Sequence, residues 1–243
     1  AGIDIGIHYS WVLIFLLATW TLAEWYFPKT YHNWNTHTYL VMGALTAIML
    51  FVSVLIHEMA HSLVARSRGM AVNSITLFLL GGVSNLQEEP KQPGTEFFMA
   101  VVCPLTSIGL AGIFWGLSKV FDPRSMAGAL VGYLALINLL LAIFNLLPGF
   151  PLDGGRVLRS IIWASTGSLS KATNIAGIVG RFIGWGVIAY GVLQVLSGNL
   201  GGILTGLIGW FINNTADVNR REVTLQEHFS KIKVREVMGA NIE

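Results

Sequence analysis

Thr38 to Val64 reads TYLVMGALTAIMLFVSVLIHEMAHSLV, an uncharged run as far as Ile56 that ends in His57-Glu58-Met59-Ala60-His61. A helix needs about 20 mostly apolar residues to cross the hydrocarbon core of a bilayer, and this run supplies them. Spacing of four puts His57 and His61 on one helical face, where both imidazoles can bind one metal ion. Glu58 lies beside that face, within reach of a water at the metal. Three ionisable groups inside an apolar span are costly and mark a functional site. Thr38 to His57 covers about 28 Å at the standard helical rise, and Arg66 and Arg68 follow at snorkelling distance. The site is therefore expected within the membrane, displaced toward the side that carries those arginines.

The rest of the chain agrees with a membrane setting. Of 243 residues, 53% are apolar and 12% charged, with a mean hydropathy of +0.63; soluble domains are nearer one quarter charged. Fifteen Lys+Arg almost cancel 13 Asp+Glu, which excludes nucleic-acid binding and disorder as main roles. The single cysteine, Cys103, excludes an intrachain disulfide. Besides Thr38–Val64, apolar stretches run from Ile7 to Phe27, Glu96 to Val120, Met126 to Leu147, Ile175 to Ser197 and Leu200 to Asn213. The last is short and glycine-rich, a half-span or hairpin partner. Ile7–Phe27 has neither a basic flank nor a cleavage site and reads as a retained span. The expected fold is thus an all-α polytopic membrane protein of about six transmembrane helices. Lys29, Lys119 and Arg124 fall on one side, while the other basic residues fall on the opposite side. This bias predicts cytoplasmic N- and C-termini.

Two stretches do not span. Met70 to Glu96 alternates at Ile75, Leu77 and Leu79, then carries Gly81-Gly82 and a polar run. It predicts a short strand or hairpin at the cytoplasmic membrane surface. Residues 217–243 form a charged juxtamembrane tail after a membrane domain of residues 1–216. Glycine pairs at spacing four (Gly112/Gly116, Gly128/Gly132, Gly180/Gly184) suggest helix packing.

Zinc suits two imidazoles and a carboxylate with one position left open, and it lowers the pKa of water there to about 7. Candidates for the third ligand include Cys103 and Asp153. Cys103 reads as a packing residue beside Pro104. Asp153 follows a helix broken by Pro148 and Pro151, at the level inferred for His57. Alone it would more often be a helix N-cap, but a histidine pair needs an anionic partner and makes Asp153 the better ligand. Asn145 reads either as an interhelical hydrogen bond or as a donor to the oxygen of a scissile carbonyl. An ion pathway is the competing class, but it would place polar residues in both membrane halves, and the outer halves here are almost free of charge.

The chain resembles the site-2 protease family of intramembrane zinc metalloproteases. The resemblance rests on Phe51 to Ser62 with its HEMAH core, on Gly81-Gly82-Val83, and on Asn145-Leu-Leu-Pro-Gly-Phe-Pro-Leu-Asp153-Gly-Gly-Arg156. It implies one Zn2+ per chain held by His57, His61 and Asp153, with Glu58 as catalytic acid/base and Asn145 lining the site. It further implies an endopeptidase that cuts single-pass membrane proteins within the bilayer and releases a cytosolic domain. The strand around Ile75, Leu77 and Leu79, with Gly81 and Gly82, is expected to hold unwound substrate by strand addition. One departure stands in the third span, where many relatives carry Gly-Pro followed by Asn and this chain reads Cys103-Pro104-Leu-Thr-Ser107. Ile232 to Met238 resembles the opening of the paired CBS modules found in one branch of the family.

Overall fold

The computed structural model describes residues 3–78, 81–86, 90–199 and 201–215. They fall into two compact units, the first ending at Asn145 and the second beginning at Leu146. Leu79 and the tail 217–243 lie outside the described residues.

The first unit opens with β1 (Asp4–Ile7) and α1 (Ser10–Thr21), which runs through a π-helical turn, Leu22–Tyr26, into α2 (Phe27–Thr30). Then come α3 (Thr36–Ser67), β2 (Val72–Phe78), β3 (Gly81–Leu86), α4 (Pro93–Ser118) and α5 (Met126–Asn145). The start of α3 is fixed by Asn35, whose Oδ1 accepts the Thr38 N–H at 2.8 Å, satisfying one of the donors a helix start leaves open. Its end is set by Gly69 at φ +79°. There the Gly69 and Met70 N–H groups return to the Arg66 and Ala65 carbonyls, both at 3.0 Å, a left-handed glycine stop. Between α2 and α3 an aromatic group packs around the buried Phe27, with Tyr31 stacked on Trp34 at 4.8 Å.

The expected hairpin is present, and it is part of something larger. β1 lies parallel to β2 (Ile5↔Ile75, Ile7↔Leu77), and β3 lies antiparallel on the other side (Ile75↔Ser84, Leu77↔Gly82). β2 is therefore the central strand, and Ile75 and Leu77 are buried. This corrects the expectation that their strand offers an edge for substrate, because its backbone groups are already paired on both sides. Among the described residues the outer strands are β1 and β3. β1 escaped the sequence reading because four residues, Asp-Ile-Gly-Ile, are too few to separate alternation from chance.

The second unit holds α6 (Asp153–Thr166) and α7 (Leu169–Leu196), followed by a helix over residues 201–215, here α8. Among the described residues five helices are long and apolar enough to span: Ser10–Thr30, Thr36–Ser67, Pro93–Ser118, Met126–Asn145 and Leu169–Leu196. The sixth stretch is helical, but at about 22 Å it is shorter than a bilayer core. It is the hairpin partner of α7. A Cβ on Gly191 would meet the Gly202 carbonyl at 2.6 Å, and one on Gly209 would meet the Gly184 carbonyl at 2.8 Å. Of the other glycine pairs, Gly112, Gly116 and Gly132 have no described neighbour within 4 Å of a Cβ, and Gly128 seats the Asp122–Pro123 turn. Among the described residues those three make no packing contact.

Candidate metal centre

α3 carries His57 and His61 into the first unit's interior, 5% and 7% exposed. Their rings stand 5.9 Å apart between centroids and nearly perpendicular, at 86°. Two imidazoles one helical turn apart converge on one point in this arrangement. α4 packs against α3 at the same level with a buried face that includes Met99, Cys103, Pro104 and Ser107. Ser107 Oγ lies 2.9 Å from His57 Nδ1, and Cys103 Sγ donates to the His57 backbone carbonyl at 3.1 Å. Ligand atoms of His57, His61 and Cys103 lie within 4.8 Å of one another. The two imidazoles fit a zinc ion, and the thiol is close enough to be weighed as a further donor. With Nδ1 of His57 engaged by a hydroxyl, Nε2 is the nitrogen left for a metal.

Glu58 is half-buried on the neighbouring face of α3. Gly82 of β3 lies directly against it, since a Cβ there would overlap Glu58 Cγ and stand 3.2 Å from its Cδ. The glycine at this position is thus the residue that lets a strand backbone run past the carboxylate. Gly81 is the first residue of the same strand. The sequence groups Gly81 and Gly82 with the strand as substrate contacts, and the structure places Gly82 on Glu58.

Asn145 is the last residue of α5, and its Nδ2 donates to the Leu141 carbonyl one turn back at 3.0 Å. The interhelical role weighed for it belongs instead to Asn138. That side chain is fully buried and donates to Ser53 Oγ at 3.2 Å and to the Leu134 carbonyl at 2.8 Å, tying α5 to α3.

In the second unit Asp153 is the first residue of α6 and is 7% exposed. The cap position is held by the extended Leu152, and Asp153 stands one residue further on, in the first turn of the helix. Gly154 and Gly155 let the backbone of residues 146–150 lie against the first turn of α6, where any Cβ would collide with it. Phe150 closes the loop, its N–H directed to the Ala176 carbonyl at 3.4 Å and its ring under Arg159 at 5.0 Å. Gly149 rests on Gly180 of α7. The run Leu146 to Gly155 is therefore a fixed mount for one carboxylate.

Sequence reasoning missed Ser107 and Asn138. Asn138 is a lone polar residue inside an apolar span, a signal that could have singled it out, whereas Ser107 follows Thr106 and stands out only in the departure at Cys103 to Ser107.

Comparison with known proteins agrees with this geometry. The profile of Peptidase family M50 matches residues 45–124 and 118–187. The chain is 37% identical over 244 residues to Rip3 of Mycobacterium tuberculosis, covering 99% of this chain and 62% of Rip3. It is 33% identical over 201 residues to zinc metalloprotease MJ0392 of Methanocaldococcus jannaschii, covering 83% of this chain and 57% of that protein. The chain thus spans about three fifths of the length of these relatives. The solved structure of the site-2 protease from Methanocaldococcus jannaschii superposes with a TM-score of 0.64 at 31% identity, over 90% of this chain and 91% of that one. With the histidine pair on a spanning helix, these matches make the chain a multi-pass integral membrane protein that belongs to Peptidase family M50, the site-2 proteases.

Proposed function

We propose that this protein is an intramembrane zinc endopeptidase that cuts the transmembrane segment of single-pass membrane proteins and so releases a cytosolic domain. The observation that carries the proposal is the buried, perpendicular His57–His61 pair on a spanning helix, with Glu58 directly under a strand backbone at Gly82. Asp153 is the third ligand in this reading. It is supported by the burial of that carboxylate in the first turn of α6.

Zinc, when bound, supplies a Lewis acid that polarises a carbonyl and acidifies water. His57 and His61 hold it from one face of α3. Glu58, beside that face, takes the proton of the attacking water and passes it to the leaving amine. Asn145, once turned from the Leu141 carbonyl, donates to the oxygen that gains charge at the scissile carbonyl. The apolar surroundings of α3 and α4 exclude bulk water and strengthen these interactions.

A transmembrane helix hides its peptide bonds within its own hydrogen bonds, so the substrate must unwind locally. The outer edge of β3 can take up the unwound strand, and a strand added there runs past Glu58. Successive N–H groups of a strand face opposite sides. Proline at Ser84 and at Asn85 should therefore act differently, one loosening the hairpin and the other removing only the outer edge. Equal tolerance of both would remove β3 as the docking edge. The basic-residue bias supports cytoplasmic termini and a site displaced toward the cytoplasm. The deciding experiment incubates the full chain in detergent with a single-pass substrate, with and without a zinc chelator. Cleavage that stops with chelation and returns with added Zn2+ is expected, and chelator-insensitive cleavage would overturn the reading.

A further inference from the structure

We propose that Ser107 is a positioning residue for the metal: its hydroxyl accepts the Nδ1–H of His57, holding that ring in the tautomer and orientation that present Nε2 to zinc. The inference rests on the reading of His57 as a ligand.

Ser107 is fully buried on α4 and sits 2.9 Å from His57 Nδ1. One turn earlier on the same helix, Cys103 Sγ donates to the His57 backbone carbonyl at 3.1 Å. α4 therefore grips this one residue at two points, main chain and ring. A neutral imidazole carries one proton and one lone pair, and a metal takes the lone pair. If the proton sat on Nε2, Ser107 would be the donor and the ring would have nothing to offer a cation there. Accepting at Nδ1 removes that alternative and stops the ring from turning over. A partner of this kind is ordinarily worth 10- to 100-fold in metal affinity, a typical range for groups that orient a ligand. Ser107 is shielded from solvent there, so no bulk water competes for the ring.

The alternative is that Ser107 is only a small packing residue. The two roles make opposite demands. For packing, Ser107→Ala is harmless and Ser107→Thr, which adds a methyl group, is the damaging change. For orientation, Ser107→Ala is the damaging change and Ser107→Thr keeps the acceptor. The test loads the full chain in detergent with Co2+ and follows its visible absorption while a chelator competes, which gives metal affinity without an activity assay. Elution position and thermal midpoint confirm that each variant is folded. Ser107→Ala is expected to bind Co2+ 10- to 100-fold more weakly than the parent, with Ser107→Thr within a few-fold of it. Parental affinity in Ser107→Ala, while His57→Ala loses the metal, would overturn the role of Ser107 alone. Parental affinity in His57→Ala would overturn the ligand assignment and this inference with it.

Discussion

The seam between α3 and α4 and the hairpin of α7 with α8 are both tight helix contacts, and they are built from opposite materials. Along α3 and α4 the hydrogen-bonded contacts are made by polar side chains, His57 with Ser107 and Cys103 with the His57 carbonyl. Along α7 and α8 the close contacts are made by bare backbone, with Gly184 and Gly191 facing Gly209 and Gly202. Interhelical hydrogen bonds fix the orientation of individual side chains, while small residues let whole helices approach without orienting anything. The difference separates chemistry from assembly. Changes in the first seam should alter zinc or turnover in a folded protein, and changes in the second should alter stability with the chemistry of the folded fraction intact.

The largest expected effects are at the residues proposed to hold zinc and to move the proton. General acid–base assistance is typically worth 10² to 10⁴ in rate, a broad range, so Glu58→Gln should cut cleavage by about that factor with zinc content unchanged. His57→Ala and His61→Ala should lose zinc and activity together. A Glu58→Gln protein that cleaves at the parental rate would break the mechanism, and one that loses its zinc would make Glu58 a ligand. Asp153→Ala should lose most of its zinc and its activity, and Asp153→Asn, which keeps size but not charge, should fall between. Full zinc in Asp153→Ala would remove it from the metal site.

Gly82→Ala is next in size and sharpens the comparison, because here a glycine stands beside chemistry rather than between helices. Its new Cβ overlaps Glu58 Cγ, so either the strand or the carboxylate must move. Misplacing a reacting group by about 1 Å can cost 10²-fold in rate. Turnover should fall toward that value while zinc affinity stays parental. Loss of zinc instead would mean that β3 supports the histidines as well as Glu58.

Gly191→Val tests the second seam. The new side chain would be forced into the backbone of Gly202 and Gly206, and overpacking of this kind costs about 1 to 3 kcal/mol. The thermal midpoint should drop, while zinc per folded chain and turnover per bound zinc hold. A large fall in turnover at an unchanged midpoint would show that the α7–α8 contact is part of the site.

Much of this division was legible in the sequence, for physical reasons that differ by element. His57, Glu58 and His61 were plain because metal chemistry needs a spacing of four on a helix, and charges inside an apolar run are rare enough to be noticed. The proposal of Asp153 as a ligand comes only from its company, since an acid after prolines is ordinarily a cap; the structure gives the cap position to Leu152. The two-sided pairing of β2 was not legible, because β1 is distant in sequence and register is a tertiary property. Ser107 was visible only as a departure from a family pattern, because whether a buried hydroxyl meets an imidazole depends on how two helices cross. Glycine spacing alone misled at Gly112 and Gly116, since the same pair reads identically whether it faces a helix or open space.

The smallest expected effect is at Cys103, and it bears on how closed the centre is. Its Sγ lies within ligand reach of the same point as the two histidine nitrogens, and a cysteine ligand would bind zinc as the thiolate. A thiolate has no proton to give, so the hydrogen bond from Sγ to the His57 carbonyl would become a repulsion between an anion and a carbonyl oxygen. On the strength of that bond we read Cys103 as part of the scaffold rather than as a ligand. Cys103→Ser keeps a donor in nearly the same place and should leave zinc content unchanged and turnover within a few-fold of the parent. If Cys103→Ser lost its zinc, two histidines, Asp153 and Cys103 would make four protein ligands. A four-coordinate site of that kind is closed, and closed sites are structural rather than catalytic.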